Sequence, residues 1–372
     1  MNQWIPRGFV GLLFGVGLVL TSGCSRPESE TAKSDYSAEE SRVLAEALLD
    51  YESLIYNGFV DGSYEGPESD WEEGDALRPL KIGISWVKND QFVPWIVGKE
   101  MGYFEAEGID LQIVEGGPGR DNLVSLVGRK IDLFLGAIEP VLYLVTSPTG
   151  SDVVMFGATM KRSSAGWVML DTSIPQHERS TLAITAADLR GKRVGVQGGG
   201  GFYVQFVLDR LGLKEDEVKL MTAGATPDAL ISGAMDFYQC WLVNQPRILE
   251  RAGYMNWVGV TFDQLGYQSY NDATVVNRDF FEQEKPLLAA YMRGLQRAMD
   301  YLMEESEAAA KITAAVIDPA YNLSAADVKW RMEREVPIYK GDGSEPLLYM
   351  DPAKVEALAA LLIEYGQIEI KP

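Results

Sequence analysis

The residues best suited to chemistry gather in one aromatic loop and two glycine-rich turns. The loop SWVKNDQFVPW brings Trp86, Asn89, Asp90, Gln91 and Phe92 together. Indole and phenyl faces stack on a flat ring, while amides and a carboxylate read its edge. Phe92 and Trp95 are equally spaced as the apolar face of a helix, so that reading stands beside the first. After Glu115, the run GGPGRDN puts Gly116 and Gly117 where backbone N–H groups approach a ligand at a helix start. QGGGGFY repeats the device with Gln197, Gly198, Gly199, Phe202 and Tyr203. Neither run is a phosphate-loop or dinucleotide fingerprint, and tight strand-to-helix turns need glycine in any case. Glu139 before Pro140, Trp241 and Asn244 after an apolar run, and Tyr270 complete the candidate ligand-binding set.

Carboxylates at Asp90, Glu115, Asp121 and Glu139 make a small free anion a poor guest. A neutral or cationic aromatic molecule fits better. The chain has one histidine, His177, and two cysteines, Cys24 and Cys240. One His builds no His-based metal site, and two distant thiols make no zinc or iron–sulfur motif. No nucleophile stands paired with a base. The expectation is therefore a binding protein, not an enzyme, with no cofactor and no metal.

These residues need elements to position them. From Lys81 to Ala137 the pattern reads strand, helix, strand, helix, strand, with Gly128 placed to stop the second helix. Such alternation predicts an α/β fold with parallel sheets and right-handed crossovers. Ligands then sit beyond the carboxyl ends of the strands, where the loops Trp86–Phe92, Gly116–Asp121 and Ala137–Pro140 fall. KRVGVQGG opens a second β-α series, and DATVVNRDFF reads as a strand returning to the first. Helices are expected near 285–303, 307–316, 325–336 and 352–365.

GKEMGYFEAEGIDLQIVEGGPG, followed by VGRKIDLFLGA, resembles the NMT1/THI5-like, or SsuA/THI5, group of substrate-binding proteins of ABC importers. DLRGKRVGVQGG and DATVVNRDFF resemble its second-lobe strand and return strand. The resemblance runs from about Lys81 to the C-terminus. It implies a two-lobed, type II periplasmic-binding-protein-like fold, with residues 79–171 and 268–372 as lobe I and 172–267 as lobe II. Trp86 and Asn89 match the Trp and Asn of pyrimidine-binding relatives, whereas the histidine that thiamine-precursor binders often carry near Gln91 is missing. Thiamine-pyrimidine synthases share the fold group through a cysteine-rich iron site, which a lone Cys240 does not supply.

The N-terminus points outside the cytoplasm. One positive residue precedes GFVGLLFGVGLVL, 13 apolar or glycine residues, the length of a signal-peptide core and short for a ~30 Å hydrocarbon span. Leu20-Thr21-Ser22-Gly23-Cys24 resembles a bacterial lipobox, which implies a signal peptide over 1–23 and lipidation (palmitate among its acyl chains) at Cys24. An ordinary signal with an incidental cysteine is the other reading. Residues 24–78 form an acidic tether: positions 25–80 hold 15 acidic and 4 basic residues, a net of −11 out of −21 for the chain. Within it, Ser37 and Glu40 form a capping box before Leu44, Leu48, Tyr51 and Ile55, which predicts a helix near 38–56. Its stripe either docks on the body or meets a partner protein.

The charge excludes nucleic acid as a partner. The expected partners are a small ligand, ABC permease and ATPase subunits, and the membrane through the N-terminal lipid. The leading expectation is a membrane-anchored, extracytoplasmic lipoprotein that binds a heteroaromatic ligand of the thiamine-precursor or riboflavin-like kind. Sulfonate or another organic anion is the alternative within transport, and a sensing or docking module lies outside it.

Overall fold

The computed structural model describes residues 33–67, 71–117, 119–148, 150–178, 185–197 and 200–370. Cys24, Gly198 and Gly199 lie outside the described residues. Helix α1 (Ala38–Leu48) starts at the expected capping box: the Ser37 amide and hydroxyl donate to Glu40 Oε2 at 2.8 and 2.7 Å. Its small residues Ser41 and Ala45 are fully buried, which lets α1 lie close against the last helix, described below. Tyr51, Leu54 and Ile55 follow into the core. Of the expected stripe, Tyr51 and Ile55 dock on the body and Leu44 packs against it, whereas Leu48 is 39% exposed, because the helix ends there and the chain turns at Leu49–Asp50 instead of continuing to 56.

Two five-stranded sheets share one strand order. The first contains β1 (Arg78–Ile84), β2 (Ile109–Val114), β3 (Leu133–Gly136), β4 (Val153–Met160) and the late strand β10 (Asn271–Asn277), ordered β2-β1-β3-β10-β4. The second contains β5 (Ala165–Leu170), β6 (Arg193–Val196), β7 (Lys219–Thr222), β8 (Phe237–Trp241) and β9 (Trp257–Thr261), ordered β7-β6-β8-β5-β9. In each sheet three strands are parallel, and one antiparallel strand joins them to the edge. Helices supply the crossovers: α2 (Val93–Glu100), α3 (Asn122–Val127) and α4 (Glu139–Thr146) in the first series, α5 (Gly201–Arg210) and α6 (Gln245–Arg251) in the second. Gly128 caps α3 as expected.

One boundary differs from expectation. Residues 165–170, assigned above to the end of lobe I, form β5 between β8 and β9. The chain therefore leaves the first sheet at Lys161–Ser164, not after 171. Val260 O and Leu242 crowd Gly166 so closely that no side chain fits there. An apolar run reveals a buried strand but not the sheet that receives it. The chain returns through Phe262–Tyr270 to β10 of the first sheet.

Three long helices finish the chain: α7 (Lys285–Glu304), α8 (Ala325–Lys340) and α9 (Pro352–Glu364), with Ser306–Val316 between the first two. Both α8 and α9 reach from the first sheet to the second. Tyr365 at the end of α9 packs edge-on against Phe202 and Phe206 of α5, with centroids 5.8 Å apart. On the other side Asp327 of α8 pairs with Arg247 of α6 at 2.8 Å.

Candidate functional site

The carboxyl ends of both sets of parallel strands carry the expected loops, and the structure sorts their residues into two kinds. In the β1 loop, Asn89 Oδ1 accepts the Gln91 amide at 2.9 Å and starts a single 3-10 turn. Gln91 Nε2 donates to Asp272 Oδ1 at 3.0 Å. Asp90 is buried and paired with Arg331 of α8 at 3.1 Å, and Arg331 also binds Glu335 at 2.6 Å. Phe92 is wholly buried; so is Trp95, whose indole donates to Tyr291 at 2.7 Å. Asp90 and Phe92 are thus committed to the interior, contrary to expectation. Trp86 is 46% exposed and remains available.

Gly116 is needed because Ile84 O and Ser85 approach it too closely for a Cβ. Gly117 has φ +115, a conformation that favours glycine. Glu115 is half-buried beside them. Asn122, absent from the sequence reading, donates to Ile84 O and Val114 O at 2.8 and 3.0 Å. It thereby staples the ends of β1 and β2 together.

The centre of the site is Glu139, the first residue of α4. It is 6% exposed, and its Oε1 accepts the Tyr267 hydroxyl at 2.7 Å. Its Oε2 is buried without a hydrogen-bond partner. Burial pushes this carboxyl's pKa up, against lowering by Tyr267, its own amide and Ser269. Aromatic rings surround it. Tyr203 stacks on Phe262 at 5.4 Å and meets Tyr267 edge-on at 5.0 Å. Phe202 meets Tyr267 at 5.6 Å, and Trp167 meets Phe262 at 5.3 Å. The Trp167 indole N–H is buried and also unpartnered. The arrangement joins α4 and β3 of the first sheet to α5 and β5 of the second. It offers an acceptor, a donor and ring faces to a small guest.

From the second sheet, Gln197 Nε2 donates to Tyr238 OH at 2.9 Å and to Gly224 O at 3.3 Å. The Gln239 side chain fills the space a Cβ at Gly200 would need. Trp241 and Asn244 are half-buried at the end of β8, where the Trp241 amide donates to Gln245 Oε1 at 2.9 Å. Tyr270 differs from expectation. It is 1% exposed, accepts the Asp351 amide at 2.8 Å and lies under the Lys354 ammonium at 4.1 Å. Its ring is held by α9 instead of opening toward a guest. Lys354 is itself mostly buried, and its pKa falls to about 8.

Buried groups that no local sequence pattern marks stand beneath the β1 loop. Arg331 and Glu335 carry the charges, Tyr339 donates to Glu335 Oε2 at 2.6 Å, and burial pushes Glu335 up to about 7. A separate hollow of about 480 Å3 opens at the amino-terminal edge of the second sheet, beside Met169, Met235, Phe237 and Tyr254. None of the expected residues lines it, and its rim charge Asp236 is already paired with Arg193 at 2.7 Å. The unpartnered atoms around Glu139 make the stronger site. Among the described residues, no three His, Cys, Asp or Glu side chains are placed to hold a metal, and no helix is long and apolar enough to cross a membrane. Cys240 is buried in β8, and burial pushes its thiol pKa up.

A sequence profile described as NMT1/THI5 like matches residues 89–309, more than half of the chain. A curated relative, "Putative thiamine biosynthesis protein" of Haemophilus influenzae, is 23% identical over 235 residues, covering 61% of this chain and 70% of its own. The periplasmic aliphatic sulphonate binding protein SsuA from Escherichia coli superposes with a TM-score of 0.59 at 17% identity, covering 80% of this chain and 95% of that one. The desulfurization enzyme DSZB superposes with a TM-score of 0.51 at 16% identity, covering 78% and 93%. The two likenesses to solved structures establish the fold.

Proposed function

This chain belongs to the NMT1/THI5-like family, and we propose that it is the solute-binding component of an ABC importer, gripping a small heteroaromatic molecule between its two sheets. The observation that carries this reading is Glu139: a buried carboxyl with one satisfied and one unpartnered oxygen, inside a wall of rings. Such an oxygen costs stability unless a guest supplies a donor. Trp86, from the β1 loop, adds an exposed indole face for stacking. The likeness to the Haemophilus putative thiamine biosynthesis protein supports a thiamine precursor as the guest.

Sulfonate is the second reading, supported by the likeness to SsuA. An anion placed against Glu139 would repel the carboxylate in a site of low dielectric. It would bind only with the carboxyl protonated. Transport, not catalysis, is the proposed role although the fold also carries DSZB, because the thiol in β8 is buried and held protonated. Delivery would be to a permease and its ATPase, with the chain held outside the cytoplasm through a lipid on Cys24.

Closure around the guest makes contacts from both sheets, so binding and the hinge are coupled. Calorimetric titration with aminopyrimidine thiamine precursors, riboflavin and short alkanesulfonates tests the reading. Heat with an aromatic base and none with sulfonates is expected. Sulfonate binding alone, strongest at neutral pH, would reverse the choice of ligand.

A further inference from the structure

Asp272 is built like Glu139, one strand away. It stands at the start of β10, immediately before Ala273, which pairs with Gly136 at the end of β3. Asp272 therefore shares the sheet edge from which Ala137–Glu139 departs. It is 2% exposed. Its Oδ1 accepts Gln91 Nε2 from the β1 loop at 3.0 Å, and its Oδ2 is buried without a partner. Its φ is +51, in the left-handed region that non-glycine residues seldom occupy.

Nothing in the fold requires a carboxyl there. Arg331 faces it from α8, but that guanidinium is already bound to Glu335 and Asp90. Tyr339, on the same helix, donates to Glu335. An asparagine would keep the Gln91 contact through its carbonyl, tolerate the same backbone conformation and bury no charge. A costly group whose structural task a cheaper one performs marks a functional position.

We propose that Asp272 is a second ligand-reading carboxyl, so that Glu139 and Asp272 each accept a donor and the guest carries two donor groups, as an amino-substituted heteroaromatic base does. This rests on the reading of the interlobe site given above. A guest with a single donor would leave one oxygen orphaned, and a sulfonate, which only accepts, would satisfy neither carboxylate while they are ionised. The ligand class is thus that of diamino heterocycles, or of heterocycles with one amino group and a protonated ring nitrogen.

The test titrates the full chain with 2,4-diaminopyrimidine, 4-aminopyrimidine and unsubstituted pyrimidine, in wild type, Asp272→Asn and Glu139→Gln. Wild type should rank them in that order. Asp272→Asn should weaken the diamino compound by at least about tenfold, the scale of one charge-assisted hydrogen bond, and erase its advantage over the monoamino one. The same variant should unfold at a higher temperature than wild type without ligand, which a merely structural carboxylate would not allow. Asp272→Ser, made alongside, replaces it if the asparagine variant shows no cooperative unfolding. Unchanged affinity in Asp272→Asn with loss in Glu139→Gln overturns this inference and leaves the site standing. No binding of any of the three bases to wild type overturns both.

Discussion

The hydroxyl of Tyr267 donates to Glu139 Oε1 at 2.7 Å, joining the second crossover between the sheets to the first turn of α4. This bond holds the carboxyl in place while its second oxygen is buried without a hydrogen-bond partner. Tyr267→Phe removes the hydroxyl that Glu139 Oε1 accepts. A loss of about 1–3 kcal/mol in folding stability is expected, measured by urea unfolding. An equally stable variant would show that the bond does not fix Glu139.

Asp272 supplies a pH signature. Its pKa in the folded chain is about 6, above the ordinary 3.8, because burial outweighs Gln91 and Arg331. A raised pKa means that the folded state holds the proton more tightly. The stabilisation is complete below the unfolded pKa and is lost as pH rises through about 6. Asp272→Asn escapes that loss, so near pH 7.5 it should exceed wild type by about 3 kcal/mol, with the gap closing below about pH 4. Unfolding of both proteins across that range checks the sign. A gap that widens on acidification would contradict it.

Arg331 is fully enclosed between Asp90 and Glu335. Arg331→Met strands both carboxyls and should cost about 3–5 kcal/mol. Adding Glu335→Gln should recover part of this, because a neutral amide costs less to bury than an unpaired charge. If the single variant is as stable as wild type, the buried network contributes nothing to the fold.

Trp86 behaves oppositely. Its exposure predicts that Trp86→Ala changes stability by less than about 0.5 kcal/mol, yet weakens an aromatic ligand by about 1 kcal/mol or more. Paired thermal unfolding and titration separate the two effects. Loss of stability with unchanged affinity would place the indole in the scaffold.

The alternation of strands and helices was legible because its signals are local. Gly128 stops a helix, Ser37 and Glu40 start one, and apolar spacing marks the faces. What was hidden depends on distant partners. Asp90 reads as a free mouth carboxylate until Arg331, 241 positions onward, is seen beside it. The Arg331–Glu335 spacing looks like a solvated helical pair, and only its packing against the β1 loop buries it. Tyr270 reads as a ligand contact, yet α9 claims it. The residues around Glu139 were partly legible: Tyr203 and Phe202 follow the second glycine run, whereas nothing near Trp167 announces an unpartnered indole. The choice of sheet for β5 was illegible for the same reason.

The measurement that bears most directly on the central claim is titration of a 4-aminopyrimidine thiamine precursor into wild type and Glu139→Gln at neutral pH. A single binding event in wild type, weakened at least about tenfold in the variant, is the predicted result. Equal affinity in the two proteins, or tighter binding of a sulfonate once the carboxylate is gone and no binding of the base to either, would contradict the account.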